Sequence, residues 1–173
     1  MRTSMVALVA AGLLGLVPLG DADAQARFSV AGGIAAPMSD LGDVADLGYN
    51  VAAGINVGGS WLPIGARVEG SLNSFGLKDF PEDVRILSAT ANAVVNLGQQ
   101  RESPYLIGGL GLYNSKFGRA DSENAVGVNL GGGLRFVIGE LSTFFEARYH
   151  AMLGGADAGA NLQYVPITVG VMF

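Results

Sequence analysis

The chain has 173 residues, of which 50% are hydrophobic, 14% are charged and 27 are glycine, and its formal net charge is −5. The acidic balance gives no electrostatic basis for binding nucleic acid, because such binding depends on neutralising phosphates. Cysteine is absent, which excludes disulfides, cysteine-based metal sites and thiol nucleophiles. Soluble domains usually carry about 25% charged residues, so the charge deficit favours a protein with a large lipid-facing surface.

The first segment is predicted to be a secretory signal peptide. A basic residue precedes an uncharged apolar run of about 15 residues at 6–20, and small residues then form two overlapping cleavage patterns. The run is shorter than the ~20 residues that a membrane-spanning helix needs. We therefore expect 1–26 to be a Sec-type signal peptide, cleaved after Ala24 or Ala26, and 27–173 to form one domain.

The rest of the chain alternates apolar and polar side chains in eight segments of about 9 to 14 residues. Alternation with a period of two indicates β-strands whose two faces meet different surroundings. A tilted strand needs roughly 9–11 residues to cross a bilayer. The fifth segment has an ambiguous phase, because both of its faces are apolar or glycine. In chain order the predicted strands are 27–36, 49–62, 65–73, 84–97, 104–113, 125–138, 142–151 and 163–173.

The connections between these segments alternate between short turns and longer polar loops that hold most of the acidic residues. This alternation is typical of bacterial outer-membrane barrels. The sequence therefore predicts an all-β protein, an eight-stranded antiparallel transmembrane β-barrel with up-and-down meander topology. A soluble periplasmic barrel with its apolar face inside has the same strand pattern and is the alternative.

Aromatic residues near the predicted strand ends are candidates for the two interfacial girdles of a membrane barrel. The alternative is that their rings belong to an ordinary core. These residues are Phe28, Tyr49, Trp61, Tyr105, Tyr113, Tyr149 and Phe173.

Charged residues on the polar faces of the predicted strands are expected to point into the barrel. An arginine facing the bilayer midplane costs about 2–4 kcal/mol, whereas inside a narrow barrel it can pair with a carboxylate. Because eight strands leave an interior just wide enough for side chains to fill, we expect a plugged lumen. The alternative is that each charge separately faces lumen water. The predicted Arg/Glu network consists of Arg67, Glu69, Arg135, Glu146 and Arg148.

The C-terminus ends in phenylalanine, with apolar residues at every second position before it. This arrangement and its position resemble the outer-membrane assembly signal that the barrel-assembly machinery recognises. The residues of the predicted C-terminal assembly signal are Val165, Ile167, Val169, Val171 and Phe173.

The predicted mature chain resembles the outer membrane protein β-barrel domain family, the group of OmpA- and OmpX-like small porin-family proteins. Segment 61–70 looks like a strand-turn-strand unit of that group, and 104–111 looks like its glycine-rich strand. The resemblance implies a location in the bacterial outer membrane and a monomer. Its implied partners are outer-membrane lipid and lipopolysaccharide, the barrel-assembly machinery and periplasmic chaperones.

The sequence offers little sign of catalysis. His150 is the single histidine, and a catalytic histidine needs a nucleophile or a carboxylate within reach. Outer-membrane lipid A deacylases have a serine two residues after the histidine, where this chain has Met152. The acidic loop clusters match no ordered calcium loop. We therefore predict no catalytic residue, no metal site and no cofactor.

The leading functional hypothesis is a non-enzymatic barrel with a structural role or a role in surface interaction through its long loops. A narrow pore for small solutes is the alternative, and it requires a continuous water path through the Arg/Glu network. A lipid-modifying outer-membrane enzyme that uses His150 is the third hypothesis.

Overall fold

The computed structural model describes most of the chain beyond the predicted signal peptide. That peptide, 1–26, lies outside the described residues except for Gln25 and Ala26, and it stays a prediction. The described residues are 25–58, 63–79, 81–98, 102–118, 120–138, 141–153 and 162–173.

The described residues form eight strands and one short helix. Each strand pairs antiparallel with its neighbour in sequence, and β1 also pairs with β8, so the sheet closes into a barrel. The predicted eight-stranded antiparallel barrel with meander topology is thus confirmed. In chain order the elements are β1 (Gln25–Met38), α1 (Ser39–Val44), β2 (Gly48–Gly58), β3 (Ile64–Gly76), β4 (Asp83–Asn96), β5 (Ser103–Phe117), β6 (Glu123–Ile138), β7 (Leu141–Leu153) and β8 (Gln163–Met172).

The alternation of side chains places the apolar face outside and the polar face inside. In β3, Arg67, Glu69 and Ser71 are buried in the lumen, whereas Ala66 and Gly70 are exposed on the outer wall. Leucine, valine or isoleucine residues are also exposed on each of the seven other strands. An apolar outer wall is the arrangement of a membrane barrel and the reverse of a soluble one, so the soluble alternative is excluded.

The long connections meet at one end of the barrel, the loop end, and the short connections meet at the other, the turn end. The first long connection was predicted to be a loop, but part of it forms α1. Within the described part of the chain, no helix is long and apolar enough to cross a membrane.

The lumen is filled by three layers of side chains along the barrel axis. An apolar layer at the loop end includes Leu41, Phe75 and Ile86. A second apolar layer near the turn end includes Phe144 and Met172. The charged side chains of the buried set lie between these two layers, so packed apolar groups lie on both sides of the charged interior.

Glycines on the inner face make room for tyrosine rings that lie across the neighbouring strand. A Cβ added to Gly127 would lie 2.7 Å from Cε2 of Tyr113, and one added to Gly133 would lie 2.6 Å from the hydroxyl oxygen of Tyr105. This packing needs close approach between ring and backbone, which only glycine allows. It accounts for part of the high glycine content and fixes the phase of β5, whose odd-numbered residues face inward.

The structure corrects the prediction of the aromatic girdles. Tyr105 and Tyr113 are each 1% exposed and lie in the lumen, because β5 turns its odd-numbered side chains inward. Trp61 and the predicted end of the second strand, 59–62, lie outside the described residues. The predicted girdle residues found on the outer wall are Phe28, Tyr49, Tyr149 and Phe173.

The closed lumen as the candidate functional site

Two ion pairs cross the barrel from wall to wall. β3 and β7 are four strands apart in a closed sheet of eight, so they form opposite walls. Arg67 on β3 donates from Nη1 to Oε2 of Glu146 on β7 at 2.8 Å. Arg148 on β7 donates from Nη2 to Oε1 of Glu69 on β3 at 2.9 Å. These contacts occupy the middle of the lumen and tie its two walls together.

The same four residues also pair along each wall, so that every charge has two opposite neighbours. Arg148 pairs with Glu146 on β7, and Nη1 of Arg67 lies 3.7 Å from Oε2 of Glu69 on β3. The hydroxyl of Tyr105 donates to Oε2 of Glu146 at 2.7 Å. Two positive and two negative charges thus form a closed, neutral set, which is the condition under which buried charges are tolerated.

Arg67 is the most enclosed member of this set. Its side chain is 0% exposed, and Nε donates to Oδ1 of Asn56 at 2.7 Å. The guanidinium carbon lies 5.1 Å from the centre of the Phe144 ring, within the range of a cation–π contact. The apolar layer near the turn end therefore packs directly against the charged layer.

Arg135, the fifth residue of the predicted network, lies apart from the other four. Its Nη1 donates to Oδ1 of Asn96 at 3.1 Å, and its guanidinium lies 5.4 Å from the centre of the Tyr105 ring. Among the described residues it forms no ion pair. The charged set thus joins β3 and β7, while β6 contributes its arginine to the turn end of the lumen.

A second polar cluster, centred on His150, lies on the loop-end side of the charged set. Nδ1 of His150 is 2.9 Å from the hydroxyl oxygen of Tyr113. The His150 ring stacks on Tyr164, with centroids 4.8 Å apart and planes 9° apart. Asn73 donates to the hydroxyl of Tyr164 at 3.3 Å. Sequence reasoning missed this cluster, although the place of Tyr164 on the polar face of β8 was a usable signal.

The space left between the two clusters is small. A cavity of about 10 Å³ lies beside Glu69, Arg148, His150 and Pro166. That is room for about one water molecule. Among the described residues, no group of three or more histidines and acids could hold a metal ion. The two clusters therefore bridge the walls of the barrel with little space between them.

The loop end of the lumen is covered by α1. Leu41 of this helix is fully buried in the loop-end apolar layer. Nζ of Lys78 donates to the carbonyl oxygen of Gly42 at 2.6 Å, and Ala45 pairs with Leu77 in an isolated β-bridge. The connection between β3 and β4 therefore holds α1 in place over the lumen.

At the turn end, the seam between β1 and β8 ends at one pair of residues. Phe28 and Phe173 exchange backbone hydrogen bonds of 2.9 Å, and their rings stack with centroids 6.5 Å apart. The predicted C-terminal assembly signal lies on the outward face of β8, opposite to the face that carries the buried residues of this strand. Its recognition by assembly machinery stays a prediction.

No family model and no curated protein matches the sequence. Among solved structures, the Neisserial surface protein A is similar with a TM-score of 0.71 and 17% identity, over 87% of this chain and 98% of that one. A major outer membrane protein from Thermus thermophilus has a TM-score of 0.52 and 13% identity, over 86% and 98%. Ail, the attachment invasion locus protein of Yersinia pestis, has a TM-score of 0.51 and 17% identity, over 86% and 99%.

At these identities the likeness concerns the fold. It is the eight-stranded barrel fold of small bacterial outer-membrane proteins, and the matches span nearly the whole of each neighbour. The apolar outer wall of this chain is the surface that such a barrel presents to lipid. The fold and this wall agree with the predicted location in the bacterial outer membrane.

Proposed function

We propose that this chain is a sealed, non-enzymatic barrel of the outer membrane that contributes to envelope structure and presents its long loops as an interaction surface. The observation that carries the proposal is the pair of ion pairs across the lumen, Arg67 with Glu146 and Arg148 with Glu69. They lie between two apolar layers, so three successive barriers oppose the passage of solutes.

A narrow pore is the competing function, and conductance separates the two. The refolded mature protein is inserted in a planar bilayer, with a conducting porin in the same bilayers as the sensitivity control. A barrel that is folded, as judged by heat-modifiable migration, and electrically silent is the expected result. Steady, reproducible openings would overturn the sealed lumen and make Arg67, Arg135 and Arg148 candidates for ion selectivity.

Lipid modification is disfavoured by the position of His150. A residue that acts on membrane lipid must reach the outer wall or an open mouth of the barrel. His150 faces the lumen and is 3% exposed, its hydrogen bond goes to Tyr113, and its neighbour Met152 belongs to the loop-end apolar layer. Unchanged lipid A species on mass spectrometry, with and without His150→Ala, are expected.

The loops are proposed to favour partners other than polyanions. Ail was solved in complex with the heparin analogue sucrose octasulfate. In this chain, described acidic residues outnumber basic ones at the loop end, and an acidic surface repels a polyanion. The acids are Asp40, Asp43, Asp46, Asp79, Glu82, Asp83, Asp121 and Glu123, and the bases are Lys78, Arg85 and Lys116.

The other proposed partners concern biogenesis and the membrane. The proposal keeps outer-membrane lipid and lipopolysaccharide as the surroundings of the barrel, and the barrel-assembly machinery and periplasmic chaperones as its partners during assembly. It takes the folded barrel to be a monomer without a cofactor. The closed sheet, which has no unpaired edge among its eight strands, supports the monomer because no edge is left for pairing with a second chain.

A further inference from the structure

The outer wall carries a groove that has no part in the proposed sealing of the lumen. It has a volume of about 570 Å³ and crosses the outer faces of β1, β2, β3 and β4. The groove lies on the apolar wall, and its polar neighbours Ser29, Glu69 and Thr90 are buried on the lumen side.

The floor of the groove follows from strand register. Ala53 pairs with Gly70, and Gly70 pairs with Ala89, so three small residues stand side by side on adjacent strands. The next outward-facing row towards the turn end is formed by larger residues, among them Ile55 and Val68. A row of small side chains beside rows of large ones leaves a trough across the wall.

Aromatic rings form the end of the groove nearest the turn end of the barrel. Phe28 and Phe173 line it, stacked on one another at the seam between β1 and β8. The floor residues lie near the middle of their strands, so the groove extends from mid-barrel towards the turn end. Short turns face the periplasm in bacterial outer-membrane barrels, which places the groove in the leaflet made of phospholipid.

The shape and chemistry of the groove fit one occupant. Its outward-facing side chains are apolar, so they can bury a hydrocarbon chain and have no hydrogen bond to give a headgroup. A second copy of the barrel is a poorer fit, because a twofold dimer would set this concave surface against itself and leave a void. The groove is also continuous with the lipid-facing wall, from which a chain can enter sideways.

We propose that the groove binds one acyl chain of a phospholipid of the periplasmic leaflet in preference to the rest of the outer wall. The inference rests on the membrane placement in the proposed function. The proposal extends that function, because an acyl chain bound in the groove next to the seam between β1 and β8 would stabilise the contact between Phe28 and Phe173.

The test maps contacts with a phospholipid that carries a photoactivatable diazirine near the middle of one acyl chain. The barrel is reconstituted in vesicles of phosphatidylethanolamine and phosphatidylglycerol, irradiated and digested, and adducts are located by mass spectrometry. Adducts are expected to be several-fold more frequent on Val30, Ile55 and Val68 than on Val128 and Leu130 of β6, which face lipid outside the groove.

Two matched variants show whether the groove itself is responsible. A Cβ at Gly70 would have its nearest neighbour at 3.9 Å, so Gly70→Leu can place a large side chain on the floor of the groove without a clash at its Cβ. Gly32→Leu adds the same side chain on the outer face of β1 outside the groove, where the nearest neighbour is at 3.7 Å. The several-fold preference should disappear in Gly70→Leu and persist in Gly32→Leu.

Each other outcome overturns the inference in a distinguishable way. Adducts spread evenly around the wall mean ordinary boundary lipid, and adducts that are rarer on the groove residues than on β6 mean that lipid does not enter the groove. Extraction of the barrel from the vesicles by carbonate would instead refute the membrane placement. In that case the proposed function fails along with the lipid site, whereas the first two outcomes leave the proposed function standing.

Discussion

Arg67 on β3 and Glu146 on β7 meet at 2.8 Å from opposite walls of the barrel, 79 residues apart in sequence. Because this ion pair spans the lumen, it fixes the distance between the two walls. Arg148 and Glu69 repeat the contact in the reverse sense, with the arginine on β7. The two ion pairs together hold β3 and β7 at a fixed separation, which opposes flattening of the barrel's cross-section.

Removal of one partner of this pair should destabilise the barrel strongly. In Arg67→Met, Glu146 loses one of its two arginine partners and keeps Arg148, in a site where its side chain is 2% exposed. Removing one partner of a buried pair costs about 3–5 kcal/mol. Urea unfolding in lipid vesicles measures the loss. The matched control is Arg85→Met, whose ion pair with Asp83 at 4.0 Å is exposed, and which should change stability by no more than about 1 kcal/mol.

The double variant Arg67→Met with Glu146→Met separates charge compensation from packing. If the single variant fails because a charge is left unpaired, the double variant should be more stable than Arg67→Met alone. An equal or larger loss in the double variant would mean that the arginine acts mainly by filling space against Phe144.

The strands and their inward faces could be predicted from the sequence, but the contacts across the lumen could not. A period of two assigns Arg67 and Glu146 to the polar faces of their strands, and in a membrane barrel the polar face is the inner one. Which of them meet depends on the register of every strand pair between β3 and β7, and one slip of register changes the partner. The same limit applies to Arg135, which forms no ion pair with the other four residues and is linked to them through Tyr105.

The errors at β5 have a different cause. Its residues are apolar or glycine on both faces, so the alternation carries no phase, and Tyr105 and Tyr113 were assigned to the outer girdles. The phase is set by glycines of β6, which admit the two rings into the lumen. The helix α1 was missed because six residues are too few for a helical period to emerge.

A methyl group at Gly127 should disturb the His150 cluster. Its Cβ would lie 2.5 Å from the backbone oxygen of Ala151 on β7 and 2.7 Å from Cε2 of Tyr113, so both the neighbouring backbone and the ring next to His150 would have to shift. Overpacking of this kind costs about 1–3 kcal/mol, measured as a lower urea midpoint for Gly127→Ala. Gly32→Ala is the control, with its nearest neighbour at 3.7 Å, and should leave the midpoint unchanged. Equal midpoints for the two variants would contradict this account of the glycines.

Truncation of Leu41, the side chain by which α1 fills the loop end of the lumen, should destabilise the barrel without opening a path through it. Leu41 is fully buried, and Leu→Ala in a packed core costs about 2–5 kcal/mol. The ion pairs between β3 and β7 and the apolar layer near the turn end remain, so Leu41→Ala should stay electrically silent in planar bilayers. Val44→Ala, at a residue that is 46% exposed, is the control. Channel openings in Leu41→Ala would mean that α1 alone seals the lumen.

The loop surface should not bind a sulfated polyanion. Titration calorimetry of the folded barrel with sucrose octasulfate at about 0.15 M salt, where the screening length is about 8 Å, is expected to give no heat of binding. Ail under the same conditions is the positive control. Saturable binding would mean that the acidic residues of the loops do not govern which partners approach the surface.

The two phenylalanines at the seam allow the assembly signal to be tested apart from stability. Phe28→Ala and Phe173→Ala both remove the ring stack, whose geometry contributes about 0.5–1.5 kcal/mol beyond the buried area. The two variants should therefore lose similar stability when refolded in vitro. In cells, Phe173→Ala should accumulate less folded barrel than Phe28→Ala, as judged by heat-modifiable protein in the outer-membrane fraction, because only Phe173 belongs to the predicted C-terminal assembly signal. Equal accumulation of the two variants in cells would mean that Phe173 acts only through its contacts at the seam between β1 and β8, and not as part of an assembly signal.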